Sequence, residues 1–141
     1  MRISVCLTIN NRLPEVSRVV SDSLLLPGNI PDEVIVVLDR PDAEAKRGAV
    51  EAYSRLNDFG ILTKFVPLEG NAGWNCPARA WNAAFEAATG DAVYCISSET
   101  IQSSGAIDMA RHLLITRLRI IFGMVLCSCG RSGHAIEPAG K

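Results

Sequence analysis

The chain has no Gly-x-Gly-x-x-Gly and no Gly-x-x-x-x-Gly-Lys-Ser/Thr, so it supports neither a dinucleotide site of the Rossmann kind nor a P-loop. It has no Cys-x-x-Cys, and its one Cys-x-Cys, at Cys127 and Cys129, is too little for a zinc site. It has no excess of charge: 141 residues carry a formal net charge of −1, which removes the electrostatic case for nucleic acid or an anionic membrane. Any anion must then be held by a few local donors. No apolar run is long enough for a bilayer, because the segment LLITRLRIIFGMVL at 113–126 is short and carries Arg117 and Arg119. No secretory signal is visible where Arg2-Ile3-Ser4 runs into a strand, and repeats are absent. The odd count of five cysteines, with Cys6 and Cys95 inside apolar runs, reads as reduced thiols. A soluble, cytoplasmic protein is expected.

What is present is an ordinary globular composition, 48% hydrophobic and 21% charged, long enough for one domain. RISVCLTI at 2–9 and EVIVVLD at 33–39 are β-branched apolar runs that predict buried strands, as do ILTKFVPL at 61–68 and AVYCIS at 92–97. Between them, LPEVSRVVSDSLLL at 13–26, AEAKRGAVEAYSRLNDFG at 43–60 and ARAWNAAFEAATG at 78–90 have helical spacing or composition, with Pro14 and Pro77 at starts and Gly60 and Gly90 at ends. A helix over 103–117, a fifth strand over 119–128 and a loop-like tail over 129–141 complete the reading. Strand and helix alternate throughout, which predicts an α/β fold with helices on both faces of a mostly parallel sheet. The pattern fits several doubly wound folds and names no function by itself.

In such a sheet the loops after the strands converge on one edge, where open α/β sheets hold ligands. Here those loops carry Thr8, Asn10, Asn11 and Arg12; Asp39, Arg40 and Asp42; Glu69, Gly70 and Asn71; and Ser97, Ser98 and Glu99. Each group alone has a structural explanation, since such loops are polar anyway and Asp39 and Asp42, flanking Pro41, suit turns and helix caps. Together with Arg79 they form a workable set for a nucleotide with a divalent cation. Trp81, on an Ala-rich helix, reads as core; Trp74, in GNAGWN, suits either stacking on a sugar or pinning its loop.

The series SVCLTINNR, EVIVVLDRPD, GNAGWNCPARAWNAAFEAATGD and AVYCISSE resembles the nucleotide-sugar-binding half of a GT-A-fold, family 2-type glycosyltransferase, over about residues 2–100. Thr8-Ile9-Asn10-Asn11-Arg12 stands where that family has Thr-Tyr-Asn-Arg, and Leu38-Asp39-Arg40-Pro41-Asp42 where it has Asp-Asp-x-Ser-x-Asp. Ala80, Asn82, Ala88, Gly90 and Asp91 fall in register with its third signature, although Ala84 takes the usual Gly place and Trp81 the usual Arg place. Ser97-Ser98-Glu99 aligns with the family's Asp-x-Asp, so that Glu99 keeps one carboxylate and Ser97 replaces the other.

The resemblance implies a GT-A-like, Rossmann-like three-layer α/β/α sandwich. With the Gly- and Pro-punctuated tail set apart, one nucleotide-sugar-binding domain is expected over 1–128 with a flexible tail over 129–141. The resemblance also implies a UDP-sugar donor and Mn²⁺ or Mg²⁺ as cofactor. Thr8 and Asp39 would lie at the base, with Asn10 and Arg12 in the same loop cluster. Arg79 and Asn82 would sit near the ribose or diphosphate, with Arg79 supplying the displaced guanidinium. Ser97 and Ser98 complete the nucleotide side. Glu99 would ligate the metal, with His134 of the tail as a second ligand, since a hard divalent ion accepts oxygen ligands and keeps waters, and neutral imidazole also ligates metals. The family's acceptor-activating acid lies in a second half that has no counterpart here, which leaves the catalytic base and the acceptor unassigned. A homo-oligomer is one way to supply an acceptor site. The alternative is a catalytically incomplete nucleotide-sugar-binding module. A nucleotidyltransferase would want a Gly-rich, basic loop after the first strand, which TINNRLPE lacks; a flavodoxin-like domain is what an accidental resemblance would leave.

Overall fold

Four of the apolar runs pair as a parallel sheet in the order β3-β2-β1-β4 in a computed structural model of the chain, which describes residues 1–69 and 77–116. The elements are β1 (Ile3–Ile9), α1 (Pro14–Ser23), β2 (Glu33–Asp39), α2 (Ala43–Ser54) with a 3₁₀ turn over Arg55–Phe59, β3 (Leu62–Leu68), α3 (Pro77–Ala87), β4 (Ala92–Cys95) and α4 (Ala106–Thr116). β1 is paired on both sides, with Ser4 opposite Glu33 on β2 and Val93 on β4. The expected fifth strand over 119–128 and tail over 129–141, with His134, and residues 70–76 with Trp74 lie outside the described residues.

Side-chain alternation divides the sheet between two cores. Ile3, Val5, Leu7 and Ile9 of β1 and Val34, Val36 and Leu38 of β2 pack with Val20, Leu24, Ala49, Ala52, Tyr53 and Ile107 from α1, α2 and α4. Cys6, Ile35 and Val37 face the other way, onto Ala80 and Ala84 of α3, with Trp81 and Phe85 stacked beside them. Strands buried on both faces read as continuous apolar runs, which is why β1 and β2 were the plainest in the sequence. The three-layer α/β/α expectation is met.

Element ends differ from the sequence reading where side chains compete with the helix. α1 stops at Ser23 rather than running to 26, because Ser21 and Ser23 hydroxyls donate back to the carbonyls of Arg18 and Val20 and the next amides close 3₁₀-type bonds. The second helix turns 3₁₀ at Arg55 and ends on Gly60, whose φ of 77° is left-handed. Cys6 and Cys95 are free thiols, and Cys6 is pushed up to about 12 by burial, then by the Cys95 and Glu33 charges, so it acts as core. Among the described residues no helix is long and apolar enough to cross a membrane.

α1 and α2 touch where Gly48 meets Pro14: a Cβ at Gly48 would lie 2.6 Å from the Pro14 Cβ and 2.7 Å from its Cα. Alanine improves intrinsic helix propensity by about 1 kcal/mol, but forcing a methyl against a rigid ring and backbone costs about 1–3 kcal/mol. Gly48→Ala is expected to destabilise the protein by about 1–2 kcal/mol, read from the urea midpoint. A stabilised variant would mean that α1 moves aside freely.

Candidate functional site

The chain leaves β1 for α1 on one face, builds β2 and β3 outward, then returns to place β4 on the other side of β1. The C-terminal ends of β1 and β4 therefore form the point where strand order reverses, the place at which open α/β sheets hold ligands. Asn10-Asn11-Arg12 follow β1, and Ser97-Ser98-Glu99 follow β4 after Ile96 extends the ladder by donating to the Cys6 carbonyl. The two loops meet: Arg12 Nε donates to Ser98 Oγ at 3.2 Å, and an Arg12 terminal nitrogen forms an ion pair with Glu99.

The Ser97–Thr100 turn is closed by the Thr100 amide on the Ser97 carbonyl at 3.0 Å, and the Glu99 amide reaches Ser97 Oγ at 3.4 Å. Ser98 is 6% exposed, so its hydroxyl is a fixed acceptor that aims the guanidinium. An open groove of about 530 Å³ begins here, with Asn11, Arg12, Glu15 and Glu99 on its polar wall and Leu13, Val16, Val19, Val20 and Ile101 on its apolar one.

The loop after β2 joins from the other side. Asn10 Nδ2 donates to the Asp39 carbonyl at 3.1 Å, and Asn11 Oδ1 accepts from the Asp42 amide at 2.9 Å. Asp42 caps α2 by accepting from the Ala45 amide at 2.7 Å, its structural duty. Arg40 takes a left-handed φ of 49°, and its Nε lies 3.1 Å from Asp39 Oδ1. Thr8 is half-buried near the end of β1, opposite Val37. Thr8, Asn10, Arg12, Asp39, Ser97, Ser98 and Glu99 thus share one edge of the sheet. Arg79, in the first turn of α3, donates to the Glu69 carbonyl at 2.8 Å just past β3, and Asn82 is exposed one turn further on.

A metal centre of the Asp-x-Asp kind is a poor fit to these side chains. Among the described residues no three His, Cys, Asp or Glu side chains come together. Glu99 is the only carboxylate of its loop, flanked by hydroxyls and already facing a guanidinium. A divalent ion on that carboxylate would sit against a fixed positive charge.

Two supporting residues carried little signal in the sequence. Glu33, buried at the opposite edge, accepts from Ser4 Oγ at 2.6 Å, from Thr89 and from the Gly90 amide, and lies 2.8 Å from Lys64 Nζ. Its only trace was an acid opening an otherwise apolar strand. Asn29, in the Pro27-Gly28-Asn29 stretch that follows the first helix, is buried and holds the segment that carries Ser97–Glu99: its amide donates to the Ser23 and Ser103 carbonyls and its oxygen accepts from the Ala106 amide.

No protein-family model and no curated protein matches the chain. Solved structures match its fold. S. aureus TarS 1–349 is similar over 82% of this chain and 32% of that one, with a TM-score of 0.65 and 24% identity. The same TarS 1–349 in complex with UDP gives a TM-score of 0.63 at 24% identity over the same shares. Glucosyl-3-phosphoglycerate synthase from Mycobacterium tuberculosis, in complex with Mg²⁺ and UDP, covers 82% of this chain and 40% of its own, with a TM-score of 0.54 and 22% identity. The chain thus spans about a third to two-fifths of the length of these structures. Its fold is that of GT-A-type glycosyltransferases.

Proposed function

We propose that this chain forms the nucleotide-sugar-binding half of a GT-A-type glycosyltransferase, with a UDP-sugar as donor. The observation that carries the reading is the meeting of the β1 and β4 loops at the reversal point of a sheet whose fold is shared with two UDP-bound structures. In this reading Thr8 and Asp39 face the uracil, with Asn10 holding the Asp39 backbone in place. Arg12, Ser97 and Ser98 lie on the diphosphate side, and Arg79 and Asn82 approach it from α3. A hydrogen-bonding carboxylate distinguishes bases by the donors they present, and leaving those donors unpaired is what rejects the wrong base. The sugar–phosphate bond breaks as negative charge collects on the departing diphosphate, so fixed positive charge and donors there lower the barrier.

The alternative, a nucleotide-sugar-binding module without transfer activity, is favoured by one observation: Asp39 and Glu99 are each paired with an arginine, so neither stands ready as a base. Donor hydrolysis on incubation with UDP-glucose separates the two readings.

Calorimetric titration with UDP, GDP, ADP and CDP tests the site. UDP is expected to bind most tightly. Asp39→Ala is expected to lose about tenfold of that preference, while the folded state, checked by circular dichroism, persists. Equal affinity for all four nucleotides in the wild type would remove the base site, and absence of any binding would remove the nucleotide reading altogether.

A further inference from the structure

We infer that Arg12 is the resident cation of this site, supplying the positive charge that the diphosphate needs without a divalent metal; the inference rests on the nucleotide-sugar reading above. Three observations converge on it. Arg12 stands at the reversal point of the sheet, where its Nε is aimed by the buried Ser98 hydroxyl at 3.2 Å. Its outer nitrogen faces Glu99, and both side chains remain open to the groove, at 39% and 57% exposure. The loop after β4 offers that one carboxylate with two serines, a donor set better suited to holding a guanidinium than to enclosing a metal ion.

The chemistry follows from the guanidinium. It is always charged, more weakly hydrated than an ammonium, and presents planar paired donors that match phosphate oxygens. In the free protein Glu99 occupies that fork and keeps Arg12 out over the groove rather than folded elsewhere. An exposed pair of this kind is weak, and a diphosphate brings more negative charge and more acceptor oxygens than one carboxylate. Entry of the nucleotide exchanges one ion pair for a stronger one. The Ser98 contact remains, so the guanidinium turns about a fixed point. No bond is made or broken in this exchange.

The same geometry makes the two roles of Glu99 exclusive. If it ligated Mn²⁺ or Mg²⁺, removing its charge would abolish binding. If it is the counter-ion of Arg12, removing its charge frees the cation.

The test is calorimetric titration of UDP into the full chain, in EDTA and in Mn²⁺, with the wild type, Arg12→Ala, Arg12→Lys and Glu99→Gln, each checked for folding by thermal melt. The wild type is expected to bind in EDTA, with Mn²⁺ changing the affinity by less than about threefold. Arg12→Ala is expected to weaken binding about 10- to 100-fold, the range for a lost charge-assisted contact, and Arg12→Lys to restore part of it. Glu99→Gln is expected to tighten binding by up to about fivefold, the strength of an exposed pair. Binding that appears only with Mn²⁺, vanishes in Glu99→Gln and ignores Arg12→Ala would overturn the inference and leave the nucleotide reading standing. No binding by any variant in either condition would overturn both.

Discussion

Glu33→Ala is expected to lower the unfolding free energy by about 3–5 kcal/mol. That is a large part of the 5–15 kcal/mol typical of a domain. The carboxylate is 0% exposed. It gathers the Ser4 hydroxyl from β1, the Lys64 ammonium from β3, and the Thr89 and Gly90 amides from the turn between α3 and β4. Removing it leaves those donors facing a cavity and the Lys64 ammonium without its counter-charge, held by its 3.3 Å bond to the Ala87 carbonyl. The packing there is close: a Cβ at Gly90 would stand 2.5 Å from Ser4 Oγ and 2.9 Å from the Ser4 amide nitrogen, so only glycine fits that turn. Melting temperature should fall by at least roughly 10 °C. A loss below about 1 kcal/mol would mean that water already satisfies the network.

The same carboxylate predicts a pH dependence. Burial would raise its pKa, but the Lys64, Ser4 and Thr89 contacts outweigh it and hold Glu33 at about 2, against 4.5 unfolded. A depressed folded pKa contributes stability that is complete above the unfolded value. It is lost as pH falls from 4.5 toward 2, since the unfolded chain takes up its proton first. The contribution amounts to about 3 kcal/mol at neutral pH. Urea melts at intervals across that window should fall steeply for the wild type and less so for Glu33→Gln; parallel curves would contradict the assignment.

Asn29→Ala is expected to cost about 2–4 kcal/mol and to weaken UDP binding several-fold. The amide group is buried and makes bonds on both ends: Nδ2 to the Ser23 carbonyl at 3.0 Å and the Ser103 carbonyl at 2.8 Å, and Oδ1 from the Ala106 amide at 2.8 Å. It caps α4 and ties the end of α1 to the segment leading from β4. Gly28 packs against Gly105 beside it, where a Cβ would come within 2.8 Å of the Gly105 Cα. Ser98 and Glu99 lie on that segment, so loosening it moves the groups that hold Arg12. Asn29→Asp keeps the cap but loses the two amide donations, and should fall between Asn29→Ala and the wild type. An Asn29→Ala protein with unchanged stability would show that the 97–105 segment is held by its other bonds alone. Unchanged UDP affinity in a destabilised variant would separate the segment from the site.

β1 and β2 were legible because parallel strands buried on both faces need apolar side chains on both, while the half-buried β3 and β4 were legible from their short apolar runs and the alternation with helices. Helix starts at Pro14 and Pro77 and the stop at Gly60 were legible for local reasons of backbone geometry. The early end of α1 and the late start of α4 were not, since the first depends on serine hydroxyls bonding back to the helix and the second on Asn29, 77 residues away from Ala106.

At the candidate site, residue types and order placed Thr8, Asn10, Arg12, Asp39 and Ser97–Glu99 on one edge, because every parallel strand ends on the same side. Which of them touch was decided by strand order. β4 lies beside β1 rather than beside β3, and this alone brings Arg12 against Ser98 and Glu99. A carboxylate that reads along the chain as a metal ligand then faces a guanidinium 87 residues away in sequence. Charge pairing of that kind is a property of distance in space, and local pattern carries no record of it.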